Sequence, residues 1–251
     1  LHEQLVKKGY NPVALDLGNQ VRRFGPQPEI KFHSTMSGLH KIGYQAVALG
    51  PDDLRISFND LLATALGVDG KLPLVSANVN ILDENPAPYR VIEKGGKRIG
   101  VTAILGEEHL RTVPEGELTV SQPMDALAAV VPKLRDEKCD LYVLLAHAAT
   151  EESRRLAEKF PLFDLVVTAG SSGEPSHRFE NIEGAKTKLV QVGTKGMYVS
   201  VVGVFDDEEQ PFRLQRAPLD GRYEDSKDML ALLAAYQQQL EAVGLEGLAV
   251  V

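Results

Sequence analysis

The stretch DLYVLLAHAATEESRRLAEKFPLFDLVVTAG (residues 140–170) sets the fold class. Residues 141–146 and 165–168 are short uncharged runs rich in Leu and Val, and runs of that length between polar flanks read as buried strands. Residues 152–159 between them form a charged helical stretch, so the segment is a strand, helix and strand in succession, the unit of an α/β protein. The alternation extends outward in both directions. Strands are predicted at residues 13–17, 46–49, 74–78, 90–92, 99–105, 189–192, 198–205 and 212–216, and helices at 30–41, 54–66 and 124–136. Two regions break the pattern with strand following strand: residues 89–105 and 189–216. In VIEKGGKRIGVTA (residues 91–103) the pair Gly95 and Gly96 is a two-residue hairpin signal. Hairpins inside a mostly parallel pattern favour two mixed sheets packed face to face with helices outside, a four-layer αββα sandwich, over one doubly wound sheet. A doubly wound binder would also need a Gly-rich first loop, and neither Walker A nor Gly-x-Gly-x-x-Gly occurs.

Composition removes several function classes. The 251 residues hold 35 acids against 27 bases, a net charge of -8, which repels a phosphate backbone and argues against nucleic acid as a partner. No apolar run approaches the roughly 18 residues of a membrane span. The single cysteine, Cys139, excludes an internal disulfide, a CxxC zinc site and a CxxCH haem attachment, and beside the run at Leu141 it reads as a buried structural thiol. The chain starts at Leu1 without Met or a visible signal peptide. Leu1, Leu5 and Val6 share a helical face closed by Lys7, Lys8 and Gly9, so the sequence is expected to be a piece of a longer protein. At the other end, Met229, Leu232, Leu233, Tyr236, Leu240 and Val243 recur at helical spacing over residues 225–243, and residues 245–251 read as the start of a linker. The expected organisation is one domain over residues 1–220, then a C-terminal helix and linker start over 221–251.

Six segments in order carry a resemblance: VALDLGN (13–19), LHKIGYQAVALGPDDL (39–54), LPLVSANV (72–79), PYRVIEKGGKRIGVTAI (88–104), DLYVLLAHAA (140–149) and FDLVVTAGSS (163–172). Together they resemble the N-terminal metallophosphoesterase domain of the 5'-nucleotidase family, within the calcineurin-like superfamily, over roughly residues 1–205. The resemblance implies two metal ions about 3.5–4 Å apart, held by Asp, Asn and His at strand ends and activating a water for in-line attack on phosphate. Most of those residues are replaced. Asn19 stands where the family's Gly-Asp carboxylate bridges the metals. In the Gly-Asn-His-Glu loop the metal-binding Asn becomes Pro51 and the catalytic His becomes Asp52, followed by Asp53. The family's Gly-His-Ser-His becomes Ala169, Gly170, Ser171 and Ser172. His147 alone stands at its expected place, and the Asp-x-His motif with its strand would lie upstream of Leu1.

Each remnant has a plainer reading. A lone histidine at a strand end, such as His147, is more often a hydrogen-bonded structural residue than a metal ligand. Asp52 and Asp53 form a carboxylate pair for acid/base work or a hard-cation site, or simply acids at the start of the helix from Leu54. As an exposed carboxylate, Asp52 would be ionised and could not protonate a leaving group. Residues 170–173 offer backbone N–H groups to an anion, or are a loop left after the ligands were lost. The acidic stretch 206–210 reads as a solvated turn.

The resulting expectation is a metallophosphoesterase-like domain without catalysis and without a bound cofactor, serving as a structural or interaction module. The alternative is an active metal-dependent phosphohydrolase with altered ligation by Mn or Zn. The stretch AAYQQQLEAVGLEGL (234–248) is similar to the junction in bacterial fusions that join such a domain to multihaem cytochrome modules. That resemblance implies a larger parent protein and a periplasmic or otherwise exported location.

Overall fold

The computed structural model describes residues 1–21, 27–66, 73–81, 86–113, 118–170, 173–193 and 195–244. Helix α1 (His2–Lys7) leads to β1 (Ala14–Asp16), α2 (Pro28–Ile42) and β2 (Tyr44–Val47). A single 3₁₀ turn (Asp53–Arg55) precedes α3 (Phe58–Leu66). Then come β3 (Val79–Asn80), β4 (Tyr89–Lys94), β5 (Lys97–Leu105), α4 (Glu107–Leu110), β6 (Thr119–Val120) and α5 (Pro123–Asp136). The second half runs β7 (Leu141–His147), α6 (Thr150–Lys159), β8 (Leu165–Thr168), β9 (Glu180–Asn181), β10 (Lys188–Gln191), β11 (Tyr198–Val204), β12 (Phe212–Pro218) and α7 (Lys227–Ala242).

The larger sheet has the order β4-β5-β7-β8-β10-β9, with β5, β7, β8 and β10 parallel to their neighbours in that run. Its β4–β5 edge is the predicted hairpin, antiparallel with Lys94 opposite Lys97 and with both turn glycines at positive φ, 59° and 75°. On the other side β1 and β2 pair in parallel, and single parallel bridges continue outward from Val47 to Leu74 and from Val75 to Ala87. The β11–β12 hairpin adds an antiparallel ribbon.

Side-chain parity reveals the layers. Along β7, Leu141, Val143 and Leu145 join one buried cluster, which also takes Val101 and Ala103 of β5, Ala46 of β2 and Ala48 beyond it, and Leu165, Val167 and Val190. This cluster lies between the sheets. The alternate residues Leu144 and Ala146 face a second cluster with Leu127, Val131 and Leu134 of α5 and Leu156 and Ala157 of α6. Across the molecule Val47 and Leu49 face a third, filled by Phe32, Met36 and Leu39 of α2 and Leu61 of α3. Strands that are apolar on both faces are what two helix layers outside two sheets require. The order is helices, sheet, sheet, helices.

Three local readings need correction. The helix predicted at 54–66 is interrupted: Ile56 is extended (φ -65°, ψ 152°), and α3 starts afresh after Ser57, whose hydroxyl accepts the Asp60 N–H at 3.3 Å. Ser57-Phe58-Asn59-Asp60 is a variant of the capping-box pattern, and a new cap outcompetes helix continuation. The strand predicted at 74–78 shrinks to the two bridges at Leu74 and Val75, because Asn78 turns its amide onto the backbone at the end of β5. Cys139 is half-buried rather than enclosed. The short elements β3, β6, β9 and α4 have too few residues to leave a periodic pattern. Residues 171, 172 and 245–251, singled out above, lie outside the described residues.

Candidate functional site

Parallel pairing places the C-terminal ends of β1, β2, β5, β7 and β8 along one edge, with Asp16 opposite Val47 and Leu105 opposite His147. Loops leaving such ends gather into a crevice. Asn19, Pro51, Asp52, Asp53 and Gly170 fall on these loops, and His147 is the last residue of β7.

The loops after β1 and β2 touch backbone to backbone. A Cβ on Gly50 would lie 2.5 Å from Asn19 N, and a Cβ on Gly18 would overlap Gly50 N, so both positions need glycine. Asn19 sits at φ 71°, a left-handed conformation that Asn tolerates better than most residues. Its side-chain carbonyl accepts the Asp52 N–H at 2.9 Å. Asp53 is fully buried, 0% exposed, and its carboxylate accepts three backbone N–H groups: Asn19 at 2.6 Å, Gln20 at 2.7 Å and Gly50 at 2.9 Å. Burial outweighs these bonds and pushes its pKa up to about 7. Asp16, unremarked in the sequence reading, accepts the Gly18 N–H at 2.7 Å and the Gln20 side-chain amide, and burial raises it to about 6. The helix-start reading of Asp53 is corrected: it opens the 3₁₀ turn, but its carboxylate reaches across to the other loop. Asp52 is not an exposed carboxylate either; its side chain is 19% exposed and lies 3.8 Å from Arg55 Nε.

His147 is 7% exposed at the end of β7. Its Nδ1 lies 2.9 Å from the Leu17 carbonyl, which can only accept, so Nδ1 carries the proton and Nε2 keeps the lone pair. Burial holds its pKa below the usual histidine value. His109 of α4 packs edge-on against it, ring centroids 5.3 Å apart at 68°, and burial depresses His109 as well. Helix α4 is fixed by buried Glu152 of α6, whose two oxygens accept the Glu107 N–H at 3.0 and 3.1 Å. Gly170 passes directly over the Ala148 carbonyl, where a Cβ would overlap it.

His109, Asp16 and Glu152 escaped the sequence reading. Asp16-Leu17-Gly18 carries the signal of an Asx turn before a glycine. His109 had a weaker one, a histidine a few residues beyond the strand ending at Leu105. Ser171 and Ser172 lie outside the described residues.

The described residues do not fit a pair of divalent cations. Pro51 offers no side-chain donor, the Asn19 carbonyl is engaged by Asp52 N–H, and the Asp53 oxygens are engaged by the backbone. Among the described residues no three His, Cys, Asp or Glu side chains are grouped so as to hold a metal ion.

No protein-family model matches the chain. Among curated proteins it is similar to the apyrases of Aedes albopictus (21% identical) and Aedes aegypti (22% identical) over 94% and 93% of its length, and it spans 47% of each of them. Its fold matches a 5'-nucleotidase precursor from Thermus thermophilus (TM-score 0.81, 21% identity, 96% of this chain and 52% of that one). It also matches the calcineurin-like phosphoesterase YfkN from Bacillus subtilis (TM-score 0.71, 18% identity, 97% and 88%). The chain therefore has the metallophosphoesterase fold of 5'-nucleotidases and calcineurin-like phosphoesterases, and it covers about half the length of the apyrases and of the Thermus protein.

Proposed function

We propose that this chain is a metallophosphoesterase-fold domain that does not hydrolyse phosphate esters and serves as a structural or interaction module of a larger protein. The observation that carries this reading is the state of the donors at the crevice: Asn19 and Asp53 spend theirs on the facing loop, and Pro51 has none. Two-metal hydrolysis needs cations that stabilise both the attacking and the leaving oxygen. Asn19 puts a neutral amide where the bridging carboxylate would stand, and Asp52 puts a carboxylate where the imidazole would stand. The parent protein is proposed to be exported, with the domain joined to further modules, among them a multihaem cytochrome module. No described helix is long and apolar enough to cross a membrane.

The second reading, an active phosphohydrolase with altered ligation, draws support from one place. His147 and His109 are adjacent imidazoles that burial disfavours charging, and neutral imidazole is the ligand form. Hydrolysis of a generic phosphate ester, a cyclic nucleotide and AMP, with Mn or Zn supplied, separates the two in wild type and His147→Ala. The module reading expects background rates in both proteins. Turnover that disappears in His147→Ala would make the enzyme reading the better one.

A further inference from the structure

Asp53 is a fully buried carboxylate that the proposed function leaves without a role. Its partners are three backbone N–H groups from two loops, with Asn19 lying 34 residues before it in sequence. Two of them, at Asn19 and Gln20, are successive donors on a turn whose Gly18 and Asn19 are left-handed, φ 84° and 71°. Successive N–H groups on such a turn form a concavity that binds anions. Among the described residues, burial, the three N–H groups and Asp16 set the ionisation of the Asp53 carboxyl, and no basic side chain acts on it.

We propose that the loops after β1 and β2 form an anion-binding nest whose ligand is built in: the Asp53 carboxylate fills it, and a small free carboxylate takes its place when that side chain is cut back. The nest then joins the two crevice loops by protein atoms alone. Shape makes the ligand class specific. Asp53→Ala removes a carboxylate group and leaves a space the size of formate. Asp53→Gly removes the methylene as well and leaves a space the size of acetate.

Thermal unfolding of wild type, Asp53→Ala and Asp53→Gly in sodium chloride, formate and acetate at equal ionic strength and pH 7.5 tests this. In chloride both variants are expected to melt roughly 5–10 °C below wild type, the loss for orphaned buried donors in a domain of this size. Formate raises the Asp53→Ala midpoint by a few degrees, acetate does the same for Asp53→Gly, and wild type gains nothing over chloride. Equal gains in all three proteins, or no gain over chloride in either variant, overturn the proposal. If neither variant folds in chloride, refolding yield is read instead: recovery in the size-matched salt supports the nest, and no recovery in any salt overturns it. None of these outcomes depends on turnover, so the nest and the module reading stand or fall separately.

Discussion

The two halves of the crevice are built alike, from parallel strands that end side by side, yet their loops are held by opposite means. On the β1/β2 side, the half-buried carboxylate of Asp16 and the buried one of Asp53 bind backbone N–H groups, and two glycines let the loops touch. On the β5/β7/β8 side the contacts are close packing and imidazole: Gly170 over Ala148, His109 against His147, and Glu152 holding α4. The difference teaches that loop framework and loop chemistry are separable. Backbone spacing on both sides depends on contacts that tolerate no side chain, at Gly18, Gly50 and Gly170, and on the β1/β2 side the Asn19 and Asp53 side chains add bonds across the loops.

Substitutions rank the two halves. The largest effect is expected at Gly170→Ala, where the new Cβ meets a backbone carbonyl rather than a flexible side chain; a loss above about 3 kcal/mol in urea unfolding is expected. Leu144→Ala, on the same sheet but in its core, should cost about 3 kcal/mol through the cavity it leaves. A smaller loss at Gly170 than at Leu144 would mean that the β8 loop yields easily and that framework contacts do not set its course. Glu152→Gln keeps the shape but one accepting oxygen for the Glu107 N–H, and about 1 kcal/mol is expected.

The pH profile sharpens the contrast from the other side. Asp53 and Asp16 have folded-state pKa values of about 7 and about 6, above the unfolded value of 3.8, so the folded protein holds their protons more tightly. Their contribution to stability is greatest below about pH 4 and declines as pH rises to about 7. His109 and His147 act oppositely: burial lowers them, so their contribution is present above about pH 6.5 and is lost on acidification. Melting temperatures from pH 5 to 7.5 should fall more steeply with rising pH in wild type than in Asp53→Ala, while His147→Ala should steepen the fall. The reverse order would mean that the carboxylates are not held as the buried bonds indicate.

Much of this was legible in the sequence because both faces of the central strands are buried. Unbroken Leu and Val runs at residues 141–146 and 165–168 announce strands covered on both sides, and Gly95-Gly96 marks the hairpin that separates a sandwich from a doubly wound sheet. The break before α3 was also written there, as Ser57 three residues before Asp60, but a continuous apolar pattern across it read as one helix. At the crevice Asn19, Pro51, Asp52 and His147 were singled out by the family resemblance, each at or just after the end of a strand. What those side chains do did not. Two of the three partners of Asp53 are loop amides 33 and 34 residues away, and the neighbour of His147 sits on a helix of four residues, so neither is announced by spacing.

We propose that the described residues of the crevice do not hold a pair of metal ions. The most direct test of this central claim is elemental analysis of the protein purified without chelator, loaded with Mn or Zn and freed of excess ion, beside His147→Ala treated in the same way. The donor arrangement of Asn19, Pro51, Asp52 and Asp53 leads us to expect well under two equivalents in both proteins. Two equivalents of a transition metal in wild type, lost in His147→Ala, would contradict the claim.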